Sequence, residues 1–315
     1  MEEIYDIAIV GGGIAGLTAA IYSRRKNLNT IIITPEIGGQ TNLAINIENY
    51  PGFKKIKGNE LIKNILEKVI ELNTIFIFSE VIKIEKKKKI FLIYLNNGNI
   101  IKAKAIILAF GKTPRKLGIG EEKFIGKGIS TCVICDAPLY KDKIVAVVGG
   151  GNSAVDAALE LANISKKVYL IHRRENFRAD EISVKKLNEK PNIEILFNSI
   201  IKEINHESKK EIVENILVEN LKTGEKKKIN VDGVFLEIGF DMKSDWLKGF
   251  VKLDKNGQVI VDKLCQTSRK GVFAAGDCTN IPFKQAIISA GQGAIAALQA
   301  YKYLTKGKEK LIDWS

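Results

Sequence analysis

The stretch Ile4-Tyr-Asp-Ile-Ala-Ile-Val10, followed at once by Gly11-Gly-Gly-Ile-Ala-Gly16, decides the fold. Its first part is mostly apolar and rich in β-branched residues, which is typical of a buried parallel strand. Leu17–Lys26 then has the composition of a helix, and Thr30–Thr34 that of a second strand. A Gly-x-Gly-x-x-Gly turn between a strand and a helix is the signature of a dinucleotide-binding βαβ unit.

Each glycine of this turn is expected to have its own role. Gly11 permits the tight turn, Gly13 lets the backbone approach a pyrophosphate, and Gly16 lets the helix pack closely on the strand. Ile14 and Ala15 lie in the same turn and are also expected to contact the nucleotide. The N–H groups at the positive end of the helix that follows favour bound phosphate.

A second turn of the same kind begins at Gly149. Lys143–Val148 predicts its strand, Val155–Asn163 its helix and Lys167–Ile171 the next strand. The turn residues expected to contact a nucleotide are Gly149, Gly151, Asn152, Ser153 and Ala154. A later strand and glycine turn, Gly271–Asp277, returns to complete the first domain, so the second unit is inserted into the first.

Residues at the end of each unit's second strand indicate which nucleotide is bound. Glu36 is the acid nearest the first such strand and is the candidate for a ribose hydroxyl. The second unit instead has His172, Arg173, Arg174 and Arg178 there. Arginines form charge-assisted, often bidentate bonds with a 2′-phosphate, so they favour NADPH over NADH. A solvated basic turn is the alternative.

Ser130-Thr-Cys-Val-Ile-Cys-Asp136 lies between the two turns and holds two of the four cysteines. Four cysteines are too few for a disulfide framework in 315 residues, and a Cys-x-x-Cys pair then indicates redox or metal chemistry. Zinc is the main alternative, but Cys265 and Cys278 stand alone and the two histidines show no ligand spacing. Both lone cysteines are predicted to be ordinary buried residues.

The scarcity of histidine makes a carboxylate the expected acid–base partner of the dithiol. Asp136 follows Cys135 directly and is the candidate. Its alternative role is to cap a helix.

Length and composition set the class of protein. The 315 residues predict two domains, and 45% hydrophobic with 27% charged residues fits a globular chain with a sizeable core. Apolar runs are too short to span a membrane, and the expected location, with no signal segment at the N-terminus, is cytoplasmic.

The net charge of +13 raises the possibility of a nucleic-acid partner. However, the lysines are scattered, and the runs Lys86–Lys89 and Lys226–Lys228 have no interleaved aromatic residues or recognisable binding module. We therefore expect solvated lysines on strand edges, with no nucleic-acid partner; the basic surface can still attract an acidic protein.

Together these motifs resemble the low-molecular-weight thioredoxin reductases, a flavoprotein family, over nearly the whole chain. The stretches that carry the resemblance are Gly11–Gly16, Gly38–Gln40, Glu48–Gly52, Cys132–Asp136, Gly149–Ala154, His172–Ala179, Gly271–Asp277 and Gln285–Gly293. The resemblance implies an α/β fold with two Rossmann-like dinucleotide-binding domains, in which the NADPH domain is inserted into a discontinuous FAD domain. Residues 1–115 and 246–315 would form the FAD-binding domain and residues 116–245 the NADPH-binding domain with the dithiol. It also implies a homodimer.

The resemblance assigns roles to further residues of the FAD domain. Asp277 would bond the ribityl chain of FAD. Three residues would lie against its isoalloxazine end: Lys284, Gln285 and Ala286. Other cofactor contacts would come from Gly39, Gln40, Asn49, Gly111 and Gly276.

In the inserted domain, the resemblance places Ser153 and the three arginines at NADPH. Cys135 would face the flavin and Cys132 would exchange with the protein substrate, while Asp136 protonates a departing thiolate. The resemblance also implies a rotation of the two domains about linkers near Pro114–Gly118 and Gly239–Trp246.

Several positions depart from the family pattern. Val133 and Ile134 replace the commoner Ala and Thr between the cysteines, which makes the redox loop more apolar and bears on partner choice. Phe110 replaces a usual Thr and Glu237 a small apolar residue, and Gly239-Phe-Asp-Met242 replaces a Gly-His-x-Pro-like turn.

The function expected from the sequence is that of a thioredoxin-disulfide reductase. Electrons would pass from NADPH to FAD, to Cys132–Cys135 and to the disulfide of thioredoxin or a similar small dithiol protein. A glutaredoxin-like disulfide oxidoreductase is an alternative substrate. Two other classes are a non-catalytic nucleotide-binding redox sensor and a flavin electron carrier for an iron–sulfur partner, but such a carrier has no need of the cysteines.

Overall fold

A computed structural model describes residues 3–44, 47–206 and 212–307. The chain divides into two compact units, the first made of Met1–Thr113 with Met242–Ser315 and the second of Pro114–Asp241. The predicted boundaries were 115/116 and 245/246, so the structure places both crossings two to four residues earlier in the chain.

The described helices are α1 (Ile14–Arg25), α2 (Gly39–Asn42), α3 (Gly58–Glu71), α4 (Val133–Asp136), α5 (Asn152–Ala162), α6 (Glu181–Asn188) and α7 (Ala286–Leu304). The described strands are β1 (Ile4–Gly13), β2 (Thr30–Gly38), β3 (Ile75–Phe78), β4 (Val81–Lys87), β5 (Ile90–Leu95), β6 (Ile100–Leu108), β7 (Thr113–Pro114), β8 (Ile129–Ser130), β9 (Ile144–Val148), β10 (Lys167–Ile171), β11 (Ile193–Leu196), β12 (Ser199–His206), β13 (Val213–Asn220), β14 (Lys226–Asn230), β15 (Gly233–Leu236), β16 (Phe240–Asp241) and β17 (Val272–Ala274). Short 3₁₀ turns cover Glu121–Phe124, Ala137–Tyr140 and Asp245–Leu247.

The first unit is built on a sheet in the order β3-β2-β1-β6-β5-β4, with β17 paired to the end of β6. Strand β1 is parallel to both β2 and β6, whereas β4 and β5 form an antiparallel hairpin. Alternate residues of β1 enter the cores on its two faces: Ile7 and Ile9 pack with α1, α3 and α7, and Ala8 and Val10 pack with the β4–β5 side. Burial on both faces explains why this strand reads as an almost continuous apolar run.

The second unit has a parallel sheet in the order β11-β10-β9-β15-β8 and an antiparallel sheet β12-β13-β14. Small residues on the buried face of α5, such as Ala154, Ala157 and Ala158, let this helix pack closely on the parallel sheet. The two ends of this unit are tied together, because the Arg115 N–H donates to the carbonyl of Gly239 at 3.0 Å and its guanidinium pairs with Asp241 at 2.8 Å.

Two boundaries differ from the prediction in ways that affect the site. Strand β2 was expected to end at Thr34 but continues to Gly38, with a register shift between Val10 and Gly12 on its neighbour. The sequence pattern predicts the last helix over Lys284–Tyr303, whereas α7 begins at Ala286. Over the described residues, no helix is both long and apolar enough to cross a membrane.

Candidate active site

The first glycine turn ends β1 and opens α1. A Cβ atom on Gly11, whose φ is +115°, would lie 2.2 Å from the carbonyl oxygen of Ala109, and one on Gly16 would lie 2.0 Å from that of Gly11. A Cβ on Gly13 would meet nothing within 4 Å. The outer two glycines are therefore required by packing, whereas Gly13 leaves an open face above the start of α1.

The start of α1 has the properties of a phosphate site. Gly13 is its N-cap residue, no side chain caps it, and its first turn holds no acid. The first N–H groups of a helix lack intrahelical partners and carry partial positive charge. An open glycine face over these groups fits the pyrophosphate of a dinucleotide.

The extension of β2 holds Glu36 beside this turn. The N–H of Gly12 donates to Thr34 Oγ1 at 2.9 Å, and this hydroxyl donates to the carbonyl of Glu36 at 2.6 Å. Glu36, expected to lie two residues beyond the strand, is thus within β2, and its side chain is exposed. Sequence reasoning gave Thr34 no role. The feature that could have indicated one is its hydroxyl at the end of an apolar run.

Gly276 packs directly against the first turn. With φ at +81°, its Cβ would lie 2.9 Å from the Cβ of Ala15, and its N–H donates to Gln292 Oε1 at 2.7 Å. Gly293 of α7 is closer still, since a Cβ there would lie 2.2 Å from the carbonyl oxygen of Ala15. These contacts bring three elements together at one edge of the sheet: the turn after β17, the start of α1 and helix α7.

Asp277 and Lys284 lie on the loop that leads into α7. The Asp277 carboxylate accepts from Ser289 Oγ at 3.3 Å, and Lys284 Nζ donates to the carbonyl of Thr279 at 2.5 Å. Burial lowers the pKa of Lys284, and the nearby Asp277 carboxylate opposes that effect.

The other residues assigned to FAD lie in the same unit. Asn49 Nδ2 donates to Gln285 Oε1 at 3.1 Å, and Ala286 is the first residue of α7. A Cβ on Gly39 would come within 3.7 Å of the Cα of Gly13, so the start of α2 faces the first turn. Gln40 is exposed on α2.

Gly111 follows Phe110, one of the departures from the family pattern. Hydrogen bonds from the backbone of both residues partly offset the burial that raises the pKa of the Cys278 thiol. The Phe110 ring is half-buried and packs edge-on against Trp246, with ring centroids 5.6 Å apart. The larger side chain is therefore accommodated by an aromatic partner within the first unit.

The second glycine turn repeats the geometry of the first. A Cβ on Gly149 would lie 2.4 Å from the carbonyl oxygen of Glu237, and one on Gly151 would meet nothing within 4 Å. Gly151 is the N-cap residue of α5, again without a side-chain cap or an acid in the first turn. The buried Ala154 packs against Gly149. The second turn thus also leaves an open face above a helix N-terminus.

The His172 ring packs against the second glycine turn at Gly150. The residue is 5% exposed, and a Cβ on Gly150 would come within 2.1 Å of its ring. The ring stacks on Phe177, and Nε2 lies 3.1 Å from the carbonyl of Asn176. Burial lowers the pKa of His172, and the neighbouring arginines lower it further, so the imidazole is neutral at pH 7.

Arg173, Arg174 and Arg178 are exposed on the loop after β10. The N–H of Arg178 donates to the carbonyl of Gly150 at 2.7 Å, which fixes this loop against the glycine turn. Within the described part of the chain, no carboxylate forms an ion pair with any of the three guanidinium groups. A cationic loop beside an open helix N-terminus is suited to a phosphate.

Asn152 has a protein partner in the structure. Its amide donates to Asp180 Oδ2 at 3.1 Å and accepts from the Asp180 N–H at 2.8 Å. Ser153, beside it, is exposed at the first turn of α5.

Cys132 and Cys135 form a disulfide, with their Sγ atoms 2.13 Å apart. Cys132 is the N-cap residue of α4, and its carbonyl accepts from the N–H groups of Cys135 and Asp136 at 3.2 and 3.1 Å. Both cysteines are half-buried. The spacer residues point in opposite directions, since Val133 is 6% exposed and Ile134 is 65% exposed. Only Ile134 therefore makes the surface around the disulfide more apolar.

Asp136 ends α4 with its side chain partly buried. Burial raises the pKa of this carboxyl, and a hydrogen bond with Ser130 opposes the rise. The carboxyl forms no capping hydrogen bond with the 3₁₀ turn that follows, so the alternative role as a helix cap is wrong. A carboxyl with a raised pKa keeps its proton to higher pH than an exposed aspartate, which suits an acid.

The other two cysteines are buried and unpaired with each other, as predicted. Burial raises the pKa of Cys265 to about 11 and that of Cys278 to about 12. Both thiols stay protonated at pH 7 and are poor nucleophiles.

Sequence reasoning assigned no role to Ser130 or Gln292. Ser130 stands two residues before Cys132, a spacing at which a hydroxyl often bonds a backbone N–H. Gln292 is a polar residue among the small residues of α7, and its position there was the available signal.

Comparison with known proteins shows which family has this architecture. The profile of the pyridine nucleotide-disulphide oxidoreductase family matches residues 5–298. A thioredoxin reductase of Mycoplasma pneumoniae is 43% identical over 300 residues, which cover 94% of each chain. The crystal structure of thioredoxin reductase from Streptococcus pyogenes superposes with a TM-score of 0.92 at 36% identity and covers 97% of this chain and all of that one.

A relative with another name is nearly as similar. An alkyl hydroperoxide reductase component of Staphylococcus aureus is 39% identical over 307 residues, which are 97% of this chain but 60% of that protein.

Two helix-opening glycine turns and a redox disulfide define a flavoprotein disulfide oxidoreductase. The chain belongs to the pyridine nucleotide-disulphide oxidoreductase family and, within it, to the low-molecular-weight thioredoxin reductases. Members of this family typically depend on FAD and NAD(P)H.

Proposed function

We propose that this protein is an NADPH-dependent thioredoxin-disulfide reductase that uses FAD and the Cys132–Cys135 disulfide. The observation that carries the proposal is the half-buried disulfide beside Asp136, a carboxyl whose pKa burial raises. The first unit is proposed as the FAD domain and the second as the NADPH domain, in line with the sequence prediction.

The first unit has the groups that FAD requires. The open face of Gly13 and the uncapped start of α1 suit the pyrophosphate, and Glu36 lies alongside for a ribose hydroxyl. Asp277 and Gln285 supply polar groups next to the same turn region for the ribityl chain and the ring system. When bound, FAD supplies the electron pair that reduces the Cys132–Cys135 bond.

The second unit has the groups that distinguish NADPH. Gly151 and the start of α5 offer the pyrophosphate site, and the cationic loop with Arg173, Arg174 and Arg178 offers the 2′-phosphate site. A guanidinium can form two parallel bonds with a phosphate, which NADH lacks at this position. The neutral His172 ring shapes the turn from below.

The reduced dithiol would act by thiol–disulfide exchange. The Cys132 thiolate attacks one sulfur of the partner's disulfide, and a mixed disulfide forms while the other partner sulfur leaves as a thiolate. Asp136 donates a proton to the departing thiolate. Cys135 then attacks Cys132 Sγ, which reforms the intramolecular disulfide and releases the reduced partner. The order of the two cysteines rests on the family resemblance.

A second candidate is the same electron delivery to a different small disulfide protein. The similarity to an alkyl hydroperoxide reductase favours this candidate, with a glutaredoxin-like protein or a component of hydroperoxide reduction as the acceptor. The exposed Ile134, beside the disulfide, is the surface feature that bears on the choice.

Steady-state assays test the proposal with NADPH and the disulfide forms of a thioredoxin and a glutaredoxin-like protein. We expect thioredoxin turnover in the wild type and none in Cys132→Ser or Cys135→Ser, which still accept electrons from NADPH. Cys265→Ser is the matched control, because this thiol is buried and bonds the carbonyl of Gln292, and it should keep turnover. Unchanged thioredoxin turnover in both variants would contradict electron transfer through Cys132 and Cys135. Faster turnover with the glutaredoxin-like protein would favour the second candidate.

The homodimer and the rotation of the two domains stay predictions. Light scattering on the purified flavoprotein tests the first of them.

A further inference from the structure

Asn152 uses both ends of its side-chain amide on one residue, Asp180. Its Nδ2 donates to Asp180 Oδ2 at 3.1 Å, and its Oδ1 accepts from the Asp180 N–H at 2.8 Å. Asn152 is the first residue of α5, directly after the open glycine turn, and Asp180 is the N-cap residue of α6. The pair therefore joins the start of α5 to the far end of the cationic loop, residues 172–180.

The bond to Asp180 continues a pairing that begins at Arg178. The Arg178 N–H donates to the carbonyl of Gly150 at 2.7 Å, and two residues later the Asp180 N–H donates to Asn152 Oδ1. Asp180 has an extended backbone, and alternate N–H groups of an extended chain point to the same side. The Asn152 side chain thus supplies the acceptor that a backbone carbonyl would supply at the next step of a strand pairing.

The three arginines of the cationic loop are anchored in different ways. Arg173 and Arg174 lie just after β10, and the carbonyl of Arg174 accepts from the N–H of Asn198, beyond β11, at 3.1 Å. Arg178 instead stands two residues before Asp180, at the end of the loop that is tied to α5. Loss of the Asn152–Asp180 pair should therefore disturb Arg178 more than the other two.

We propose that Asn152 is a positioning residue that holds Arg178 at the site of the 2′-phosphate and so contributes to the preference for NADPH over NADH. The inference rests on the proposed function, because it concerns the site proposed there for the 2′-phosphate. It gives Asn152 a role other than the nucleotide contact expected from the sequence, since both ends of its amide already bond Asp180.

The physical reason is that a guanidinium binds a phosphate best when it is placed in advance. The bonds between them are directional and often bidentate, and ordering a loose segment on binding costs free energy. In Asn152→Ala the chain after Arg178 loses its side-chain attachment to α5, so NADPH must order that chain when it binds. NADH has no phosphate at this position, and its binding should change little.

The Asn152 amide also occupies the Asp180 carboxylate. This carboxylate is exposed and stands two residues from Arg178. Once its amide partner is removed, it is free to pair with the guanidinium and to compete with the phosphate. Both effects of Asn152→Ala weaken binding of the 2′-phosphate, so they have the same sign.

Asn163 offers a matched control at the other end of α5. It is exposed, and its Oδ1 accepts from Lys190 Nζ at 2.7 Å, so it ties α5 to the chain just after α6. Asn163→Ala removes a contact of the same kind away from the cationic loop. A general effect of such contacts on the packing of α5 would appear in both variants.

The test measures the binding of two small probes to the purified oxidised flavoprotein by isothermal titration calorimetry. Adenosine 2′,5′-bisphosphate carries the 2′-phosphate, and adenosine 5′-monophosphate lacks it. Asn152 is exposed, so the alanine variant should fold. We expect Asn152→Ala to raise the Kd of the bisphosphate about threefold to tenfold, the scale of one net hydrogen bond, and that of the monophosphate less than about twofold. Asn163→Ala should change neither.

Double variants show whether the effect passes through Arg178. In the Arg178→Gln background, Asn152→Ala should weaken bisphosphate binding little further, because the guanidinium that it positions is already gone. In the Arg174→Gln background the full factor should remain.

Equal weakening of both probes in Asn152→Ala would overturn the inference, since Asn152 would then act on the part of the site that both probes share. An unchanged Kd of the bisphosphate, an equal effect of Asn163→Ala, or a full effect in the Arg178→Gln background would overturn it too. A wild type that binds both probes equally would reject the assignment of the arginines and the inference together. Absence of disulfide turnover in the wild type would instead reject the proposed function, and the calorimetry would still decide the role of Asn152.

Discussion

Replacing Gly293 by alanine should destabilise the first unit, although alanine is the better helix former. A Cβ at Gly293 would lie 2.2 Å from the carbonyl oxygen and 3.0 Å from the carbonyl carbon of Ala15. To restore van der Waals contact, α7 and α1 must separate by about an ångström. Overpacking of this kind costs about 1–3 kcal/mol, whereas the gain in helix propensity is about 1 kcal/mol. Because backbone atoms of a buried helix must move, we expect a cost in the upper part of this range, about 2–3 kcal/mol, and hence a net loss of about 1–2 kcal/mol.

Gly291 offers a matched control on the same helix. It is exposed, and a Cβ there would meet nothing within 4 Å. Gly291→Ala should therefore stabilise the unit by about 0.5–1 kcal/mol through helix propensity alone. The two identical substitutions, two positions apart, should have opposite signs.

Thermal unfolding followed by circular dichroism can measure both variants. All samples need the same excess of FAD, since a bound ligand shifts apparent stability. At about 2–4 °C per kcal/mol for a unit of this size, Gly293→Ala should melt about 2–8 °C below the wild type and Gly291→Ala slightly above it. A Gly293→Ala protein as stable as the wild type, beside a normally stabilised control, would refute the close approach of α1 and α7.

Two further predictions concern the nucleotide sites. Gly13→Ala should leave the flavin-free fold intact but lower FAD affinity at least about tenfold, because its Cβ fills the open face above the start of α1. Gly16→Ala should instead reduce the amount of folded protein, because its Cβ would lie 2.0 Å from the carbonyl oxygen of Gly11. Flavin absorbance after gel filtration and circular dichroism separate the two effects, and equal flavin retention in Gly13→Ala and the wild type would count against the site. Arg174→Gln and Arg178→Gln should each raise the KM for NADPH about tenfold and leave that for NADH unchanged, since one charge-assisted bond is lost. Stopped-flow flavin reduction checks this, with the exposed Arg25→Gln as control; equal effects on both coenzymes would contradict the assignment of the arginines.

The sequence was sufficient for the features that depend on local spacing. Both strand–glycine–helix units form where the pattern predicted. Gly11 and Gly149 each adopt a positive φ, and each abuts backbone just beyond the end of a neighbouring strand. The disulfide also follows from spacing, since two cysteines separated by two residues meet across one helical turn.

Features that depend on tertiary structure could not be predicted from the sequence. The sequence predicted that the second strand ends at Thr34, but β2 continues to Gly38 beside the glycine turn, with an irregular register against β1. Residues that looked equivalent in sequence also diverge, since Gly293 is crowded and Gly291 is open, and Val133 is buried while Ile134 is exposed.

The hydrogen-bond partners of polar side chains could not be predicted from the sequence either. The Asn152 amide, expected at a nucleotide, bonds Asp180 from 28 positions away.

An anaerobic reductive titration of the flavoprotein, with thiols counted by alkylation and mass spectrometry, tests most directly whether Cys132 and Cys135 accept electrons from NADPH. We expect NADPH to bleach the flavin and to deliver a further electron pair, which converts the Cys132–Cys135 disulfide into two thiols that are then alkylated. The double variant Cys132→Ser, Cys135→Ser should take up only the electrons of the flavin. A wild-type protein whose flavin is fully reduced while Cys132 and Cys135 remain joined would show that the disulfide does not accept electrons from the flavin.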